Sequence, residues 1–576
     1  MKKLIYSLAM ACMALLSTSC LDLDPKDQLS DGNLWSKPGD FVLFANQMYG
    51  WTNSFNEIVY SAGPHGDKRS DIMLDKSGYN TYSNGQQIIP AGSSLTSGNY
   101  GEFYKRILYC NILIDRASKY DGNISDIRQP LGEAYFFRAY TYYELLTIFG
   151  DAIILDHQVD TDDPAMKARR DDRLDVARFI VADLHAAADH LRSFSELETG
   201  RVSVEAANAF LSRAALYEAS WQKFHKNNLT AANELYTEAA DAAKAVIDGG
   251  KFQLFYNSVL GLDSYRYLFI LEDAQCNPAG LTKNANTEFI LSRCYNIENP
   301  SGKNLTKETL ANAQMVTRKF FDLFLCQDGL PIEMSPKYDG SGETMQGEWK
   351  NRDNRISNML LMPGSTYWDN TANHCRTTFD DADLGRAYTG YTPASGGTGY
   401  YTRKFAAERL VTDAYESYDY PVIRYAEVLL NYAEALFERD GKISDDDLKI
   451  SINRTRKRIN PDMPDITNAF ISANGLDFRT EIRRERTIEL FNEGFRIDDL
   501  KRWKTAEVEM PMDLCGITLK GEYARSSNWA QNALPLNDKG QVVYESGRVF
   551  QQKHYLYPLP SDQMQLNPNL GQNPGW

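Results

Sequence analysis

The sequence predicts a mostly α-helical protein in which paired, tetratricopeptide-like (TPR-like) helices carry a loop-rich face. Apolar residues recur with a helical period from about residue 102 to 250 and again from about 422 to 503. Between 251 and 402 that period fades, and Gly, Asn, Asp, Ser and Tyr accumulate. The length of 576 residues, 43% of them hydrophobic and 24% charged, supplies a large core and excludes intrinsic disorder.

The first predicted helix spans 102–120, with Phe103, Ile107, Leu108, Ile112 and Leu113 on one stripe. The second spans 131–149 and stops at Gly150. Helices follow at 173–192, at 203–222 with Ser203 as cap, and at 230–248 before Gly249-Gly250. The last two carry Ala206-Ala207-x-Ala209, Ala214-Ala215 and Ala239-Ala240-x-Ala242-Ala243, small residues that let helices approach closely in a repeat array. A second block predicts helices at 422–438, 445–458 and 478–503. Helical blocks of about 41–250 and 403–505 thus alternate with loop-rich segments of about 251–402 and 506–576 in a single domain over 41–576. Four prolines and two glycines in the last twenty residues exclude a regular terminal helix.

The amino terminus reads as an export signal. Lys2 and Lys3 precede an apolar run from Leu4 to Leu16, too short to span a bilayer, and Leu16-Ser-Thr-Ser-Cys20 resembles the bacterial lipobox. Residues 1–19 are therefore the expected leader, Cys20 the lipidated residue and 20–40 a polar tether. The net charge of −15 becomes more negative once Lys2 and Lys3 leave, so acyl chains rather than a basic patch supply the membrane anchor. The same charge excludes a nucleic-acid partner. Eight cysteines are too few for a disulfide scaffold, although Cys276 and Cys294 could pair, which residue order leaves open.

Hydrolase, phosphate-loop and zinc-protease motifs are missing from the sequence. His185 and His190 lie five apart, off a shared helix face. Glu481, Glu485 and Glu489 recur every four residues, but Arg479, Arg483, Arg484 and Arg486 interleave with them, which reads as a salt-bridged helix face rather than a catalytic carboxylate pair. The acidic runs Asp160-Thr-Asp-Asp163 and Asp380-Asp-Ala-Asp383 could hold calcium, although neither follows the EF-hand pattern and a solvated loop explains both. No cofactor is expected otherwise. The unusual feature is aromatic: 34 tyrosines, 26 phenylalanines and 8 tryptophans, several in polar loops. A ring flanked by amides and carboxylates suits a sugar, whose C–H face stacks while its hydroxyls find polar partners. Tyr79, Asn80, Tyr82, Tyr295, Tyr367 and Trp368 are the resulting candidates, and Tyr100 is a further loop aromatic.

Segments in a fixed order resemble the SusD/RagB family of lipid-anchored, outer-membrane glycan-binding proteins of Bacteroidetes. They are the lipobox, Gly66-Asp-Lys-Arg-Ser-Asp71, Tyr104-Lys-Arg-Ile-Leu-Tyr-Cys-Asn111, Glu133-Ala-Tyr-Phe-Phe-Arg-Ala-Tyr140 and Gly399-Tyr-Tyr-Thr-Arg-Lys-Phe405. Arg424-Tyr-Ala-Glu-Val-Leu-Leu-Asn-Tyr-Ala-Glu434, then Arg483 to Arg496 with Asp499-Leu-Lys-Arg-Trp503, and the ending from Tyr557-Pro-Leu-Pro complete the series. Arg352-Asp-Asn-Arg355 departs from the family's R-D-P-R. The resemblance implies a SusD-like fold of four TPR-like hairpins under a loop-rich binding face. It also implies a non-catalytic protein that binds an oligo- or polysaccharide at the cell exterior and delivers it to a SusC-like TonB-dependent outer-membrane barrel, which the helices would contact. A surface glycoside hydrolase and a peptide-binding scaffold are the alternatives.

Overall fold

The computed structural model describes residues 35–60, 63–74, 82, 84–91, 100–160, 162–303, 305–306, 314–344, 346–362, 366–368, 374–376, 398–407, 414–525 and 535–576. The leader, Cys20, Tyr79, Asn80 and the run Asp380–Asp383 lie outside the described residues. After a short α1 (Pro38–Asn46) come α2 (Tyr100–Ser118), α3 (Ile124–Phe149), α4 (Arg173–His190), α5 (Val204–Phe224) and α6 (Leu229–Gly249). Their starts follow from local chemistry: side-chain oxygens of Asn123, Asp172, Ser203 and Asn228 each accept a first-turn backbone N–H. Such a cap contributes about 1 kcal/mol. Gly250 ends α6 in the left-handed region, with φ 63°.

Each helix packs on the next, and the alanine faces of α5 and α6 are buried where they meet. The second block supplies α7 (Tyr425–Asp440), α8 (Phe478–Glu489) and α9 (Arg496–Arg502). α2 packs on α3, α4 on α5 and α6 on α7, and the ion pair Arg486–Asp499 joins α8 to α9. The third pair joins helices that the loop-rich segment separates in sequence. α3 is the central helix, buried along nearly its whole length. It begins at Ile124 rather than 131, with Pro130 inside it. The predicted 445–458 helix is two short ones, Asp445–Ile450 and Ile452–Lys457, broken at Ser451. At the carboxyl end, one six-residue helix, Ser561–Leu566, fits between Pro560 and Pro568 despite the prolines.

The strands among the described residues form short antiparallel ladders. Those that shape the cleft described below are β1 (Phe289–Arg293) and β2 (Tyr420–Arg424). Tyr367 and Trp368 are not in an irregular loop: their backbone lies in a strand, Thr366–Trp368, paired with His374–Arg376.

The acidic stripe of α8 does form ion pairs, but they are buried, and most of the cations come from elsewhere. Glu485 and Glu489 hold Arg355 at 2.6 and 2.9 Å, while Glu489 also takes Arg424 at 2.8 Å and Arg458 at 2.9 Å. Arg424 and Arg458 also share Glu288, and Arg424 reaches Glu493. Burial alone would raise the Glu489 carboxyl; the three guanidiniums overrule it and hold it at about 2.

Two of the motifs separated in sequence meet just beyond α8. The backbone N–H of Asn492 donates to Asp67 at 2.6 Å, and the Arg496 guanidinium grips both Asp71 oxygens at 2.8 and 2.7 Å. Gly494 has φ 85°, and a Cβ there would lie 2.7 Å from the Ile58 side chain, so only glycine fits the turn. That turn is why the predicted 478–503 helix is two helices.

Glu489→Gln should destabilise the fold by about 3–5 kcal/mol, the cost of leaving buried guanidiniums short of a counter-charge. The folded carboxyl titrates below the ordinary 4.5 of the unfolded chain, so its contribution is complete above about pH 4.5 and fades as pH falls towards 2. Urea midpoints taken at about pH 6 and about pH 3 should therefore fall further for wild type than for E489Q; an equal fall would contradict the assignment.

Candidate functional site

A cleft opens between the α4–α5 connection and the segment leading into β1. It encloses about 400 Å³, within the range of small-molecule sites. Leu268, Leu271, Phe289 and Ile290, all buried, form its floor. Asn286 sets the strand in place, its side-chain oxygen accepting the N–H of Glu288 at 2.9 Å and of Phe289 at 3.0 Å.

One wall is the turn carrying Thr199 and Gly200, with Phe194 beside it. Gly200 has φ 90°, and a Cβ there would lie 2.7 Å from the Cys294 sulfur; glycine is what lets this turn close on the end of β1. The opposite wall presents Lys283 and Asn284, and Tyr295 with Asp419 closes one end. Lys283 Nζ lies 2.5 Å from Asp419 Oδ1 and donates to the Tyr295 carbonyl, while the Tyr295 N–H donates to the same Asp419 oxygen at 2.9 Å. Burial pushes the Asp419 carboxyl up, and Lys283 pulls it back. The Tyr295 ring is half-buried and leans on Phe55, with centroids 5.8 Å apart; burial raises its hydroxyl, which Arg293 and Ser54 oppose.

Of the ring candidates, Tyr295 lines the cleft. Tyr82 does not: it is 1% exposed, stacks on Tyr557 at 5.1 Å, and donates its hydroxyl to the His554 carbonyl at 2.6 Å. The carboxyl-terminal tail covers a ring whose sequence neighbours offered it no shelter. Tyr100 is also core, opening α2 with its edge on Phe149. Cys276 and Cys294 are both free thiols rather than partners. Residue order did not single out the amides or the Lys283–Asp419 pair, although Asn284 and Asn286 stand in an amide-rich stretch, Thr282-Lys-Asn-Ala-Asn-Thr287, that could have flagged them.

Other titratable clusters serve the frame. His65 is buried between Asp498, 2.5 Å from Nδ1, and Glu144, 3.1 Å from Nε2. Burial alone would lower its pKa, but the two carboxylates raise it to about 10, so it is a fixed imidazolium rather than a base poised near neutrality. His185 meets Glu238 on the surface, and Asp163 caps a short turn through the Ala165 N–H while accepting from His157. Among the described residues no three His, Cys, Asp or Glu side chains converge as a metal site.

Residues 280–576, more than half of the chain, match the model of the SusD family. The chain belongs to that family. Residues 43–216 match a second model, described as starch-binding associating with outer membrane. A SusD-like protein of Bacteroides ovatus is 26% identical over 226 residues, a match covering 38% of this chain and only 40% of that relative's length. The fold resembles a SusD-like carbohydrate binding protein of Bacteroides fragilis with a TM-score of 0.72 at 23% identity, covering 93% of this chain and 99% of that one. A second SusD-like protein of Bacteroides fragilis gives 0.71 at 21%, covering 96% and 100%. Surface glycan-binding protein A of Bacteroides fluxus gives 0.60 at 19%, covering 94% and 100%. At these identities the likeness is one of fold, and it bears out the mostly helical SusD-like architecture.

Gly200→Ala should cost about 1–3 kcal/mol, through backbone strain at positive φ and the clash with Cys294. Urea denaturation measures it, and an unchanged midpoint would show that the turn does not need its glycine.

Proposed function

We propose that this SusD family member holds an oligo- or polysaccharide on the outside of the cell without cleaving it, and passes it to a TonB-dependent outer-membrane barrel that contacts the TPR-like helices. The observation that supports the reading best is the composition of the cleft. A half-buried tyrosine ring, two asparagine amides and a lysine–carboxylate pair surround an apolar floor. A pyranose alternates apolar C–H faces with hydroxyls that need both donors and acceptors, and this lining supplies each.

Ring contacts contribute about 0.5–1.5 kcal/mol each beyond area burial, and hydrogen bonds net about 1 kcal/mol each. Set against the cost of association, a few of each give roughly millimolar to micromolar capture. Weak retention suits a protein that must hand its ligand on. Tyr79, Asn80, Tyr367 and Trp368 remain candidate contacts. The lipobox cysteine, Cys20, would anchor the mature chain through its acyl groups.

Tyr295→Ala should weaken glycan retention in affinity electrophoresis by roughly tenfold, the loss of one stacking contact and its packing. Its melting temperature should change little; a large fall with retention intact would assign the ring to the core. Cys20→Ser should move the protein from the membrane fraction to the soluble one, and continued sedimentation with membranes would refute anchoring there.

A further inference from the structure

We infer that the cleft selects uncharged sugars, because the one cation among its described lining residues, Lys283, is already committed to Asp419 and to the carbonyl of Tyr295. The inference rests on the carbohydrate reading of the same cleft. A uronate or sulfate entering an apolar-floored site loses hydration, and only a charge-assisted donor offsets that loss. Lys283 could become such a donor only by leaving Asp419, whose side chain is 12% exposed and would be stranded as an unpaired carboxylate beside the incoming anion.

Arg293, between the lining residues Ser292 and Cys294, is not itself in the lining. The Arg293 guanidinium donates to the carbonyls of Gly50 at 3.1 Å and Thr52 at 2.8 Å. The amide of Asn284 has no hydrogen-bond partner within the described chain and offers one donor group and one acceptor, the pairing a hydroxyl needs. The chain's net charge of −15 works in the same direction, but salt screens it beyond about 10 Å. The local pair therefore decides.

Asp419→Asn separates charge from shape, since the asparagine oxygen still accepts from Tyr295 and Lys283. On an array carrying both neutral oligosaccharides and oligogalacturonate, wild type should retain neutral sugars only. D419N should gain roughly tenfold for oligogalacturonate, the value of one charge-assisted hydrogen bond. The double variant D419N/K283Q should lose that gain. Equal retention of oligogalacturonate and neutral sugars by wild type would overturn the inference while leaving glycan capture intact, as would a gain that persists in the double variant. Retention of neither class by wild type would instead remove the carbohydrate reading. Circular dichroism melts check each variant, and if D419N does not fold, the wild-type comparison of neutral with acidic ligands still decides.

Discussion

The structure depends on one carboxylate. Glu489 receives Arg355, Arg424 and Arg458, which arrive from three different stretches of chain, and it is fully buried with all of them. Bringing four charges out of water is favourable only when every one is paired, so the junction tolerates a single arrangement of the segments that carry them. Arg424 stands at the end of β2 and bonds Glu288 at 2.8 Å, immediately before β1. Glu288 in turn accepts the Phe255 N–H at 2.8 Å. The floor strand of the cleft is thus tied to the ion junction through Glu288.

The same constraint explains which parts of the fold were legible in residue order. Helices α4, α5 and α6 follow from periodicity, caps and glycine stops, all local signals, and their observed ends fall within about two residues of the expected ones. The second block was less legible because its boundaries are set by distant partners. Val422 was expected to open a helix, yet Tyr420–Arg424 is a strand, since β1 is there to pair with it and Pro421 removes one backbone donor. The stripe on α8 reads from the sequence as a salt-bridged helix face, and it is ion-paired. Spacing alone did not show its burial, because apart from Arg484 on Glu481 the cations that neutralise it lie between residues 355 and 458.

The candidate cleft shares its chemistry, rather than its position, with what residue order suggests. Aromatic rings among polar neighbours describe Tyr82 and Tyr295 equally well, and only the packing of the tail around Tyr557 and Phe550 separates a core ring from a lining one. Asp419 lies 136 residues from Lys283 and its neighbouring amides, so no spacing rule could have joined it to them.

What the cleft offers a ligand is order prepared in advance. Asp419 is fixed by a backbone N–H and a lysine, Asn286 by two strand amides, and Gly200 by its contact with Cys294. Groups already held need little further ordering on binding, so a ligand loses less entropy and is discriminated by fit rather than by strength. Polar groups of the cleft that satisfy one another also limit the net gain when a hydroxyl replaces a partner or water. Selectivity with modest affinity would follow from the same contacts, the combination that the proposed surface capture requires: a ligand sorted by shape and charge, yet released without a separate input of energy.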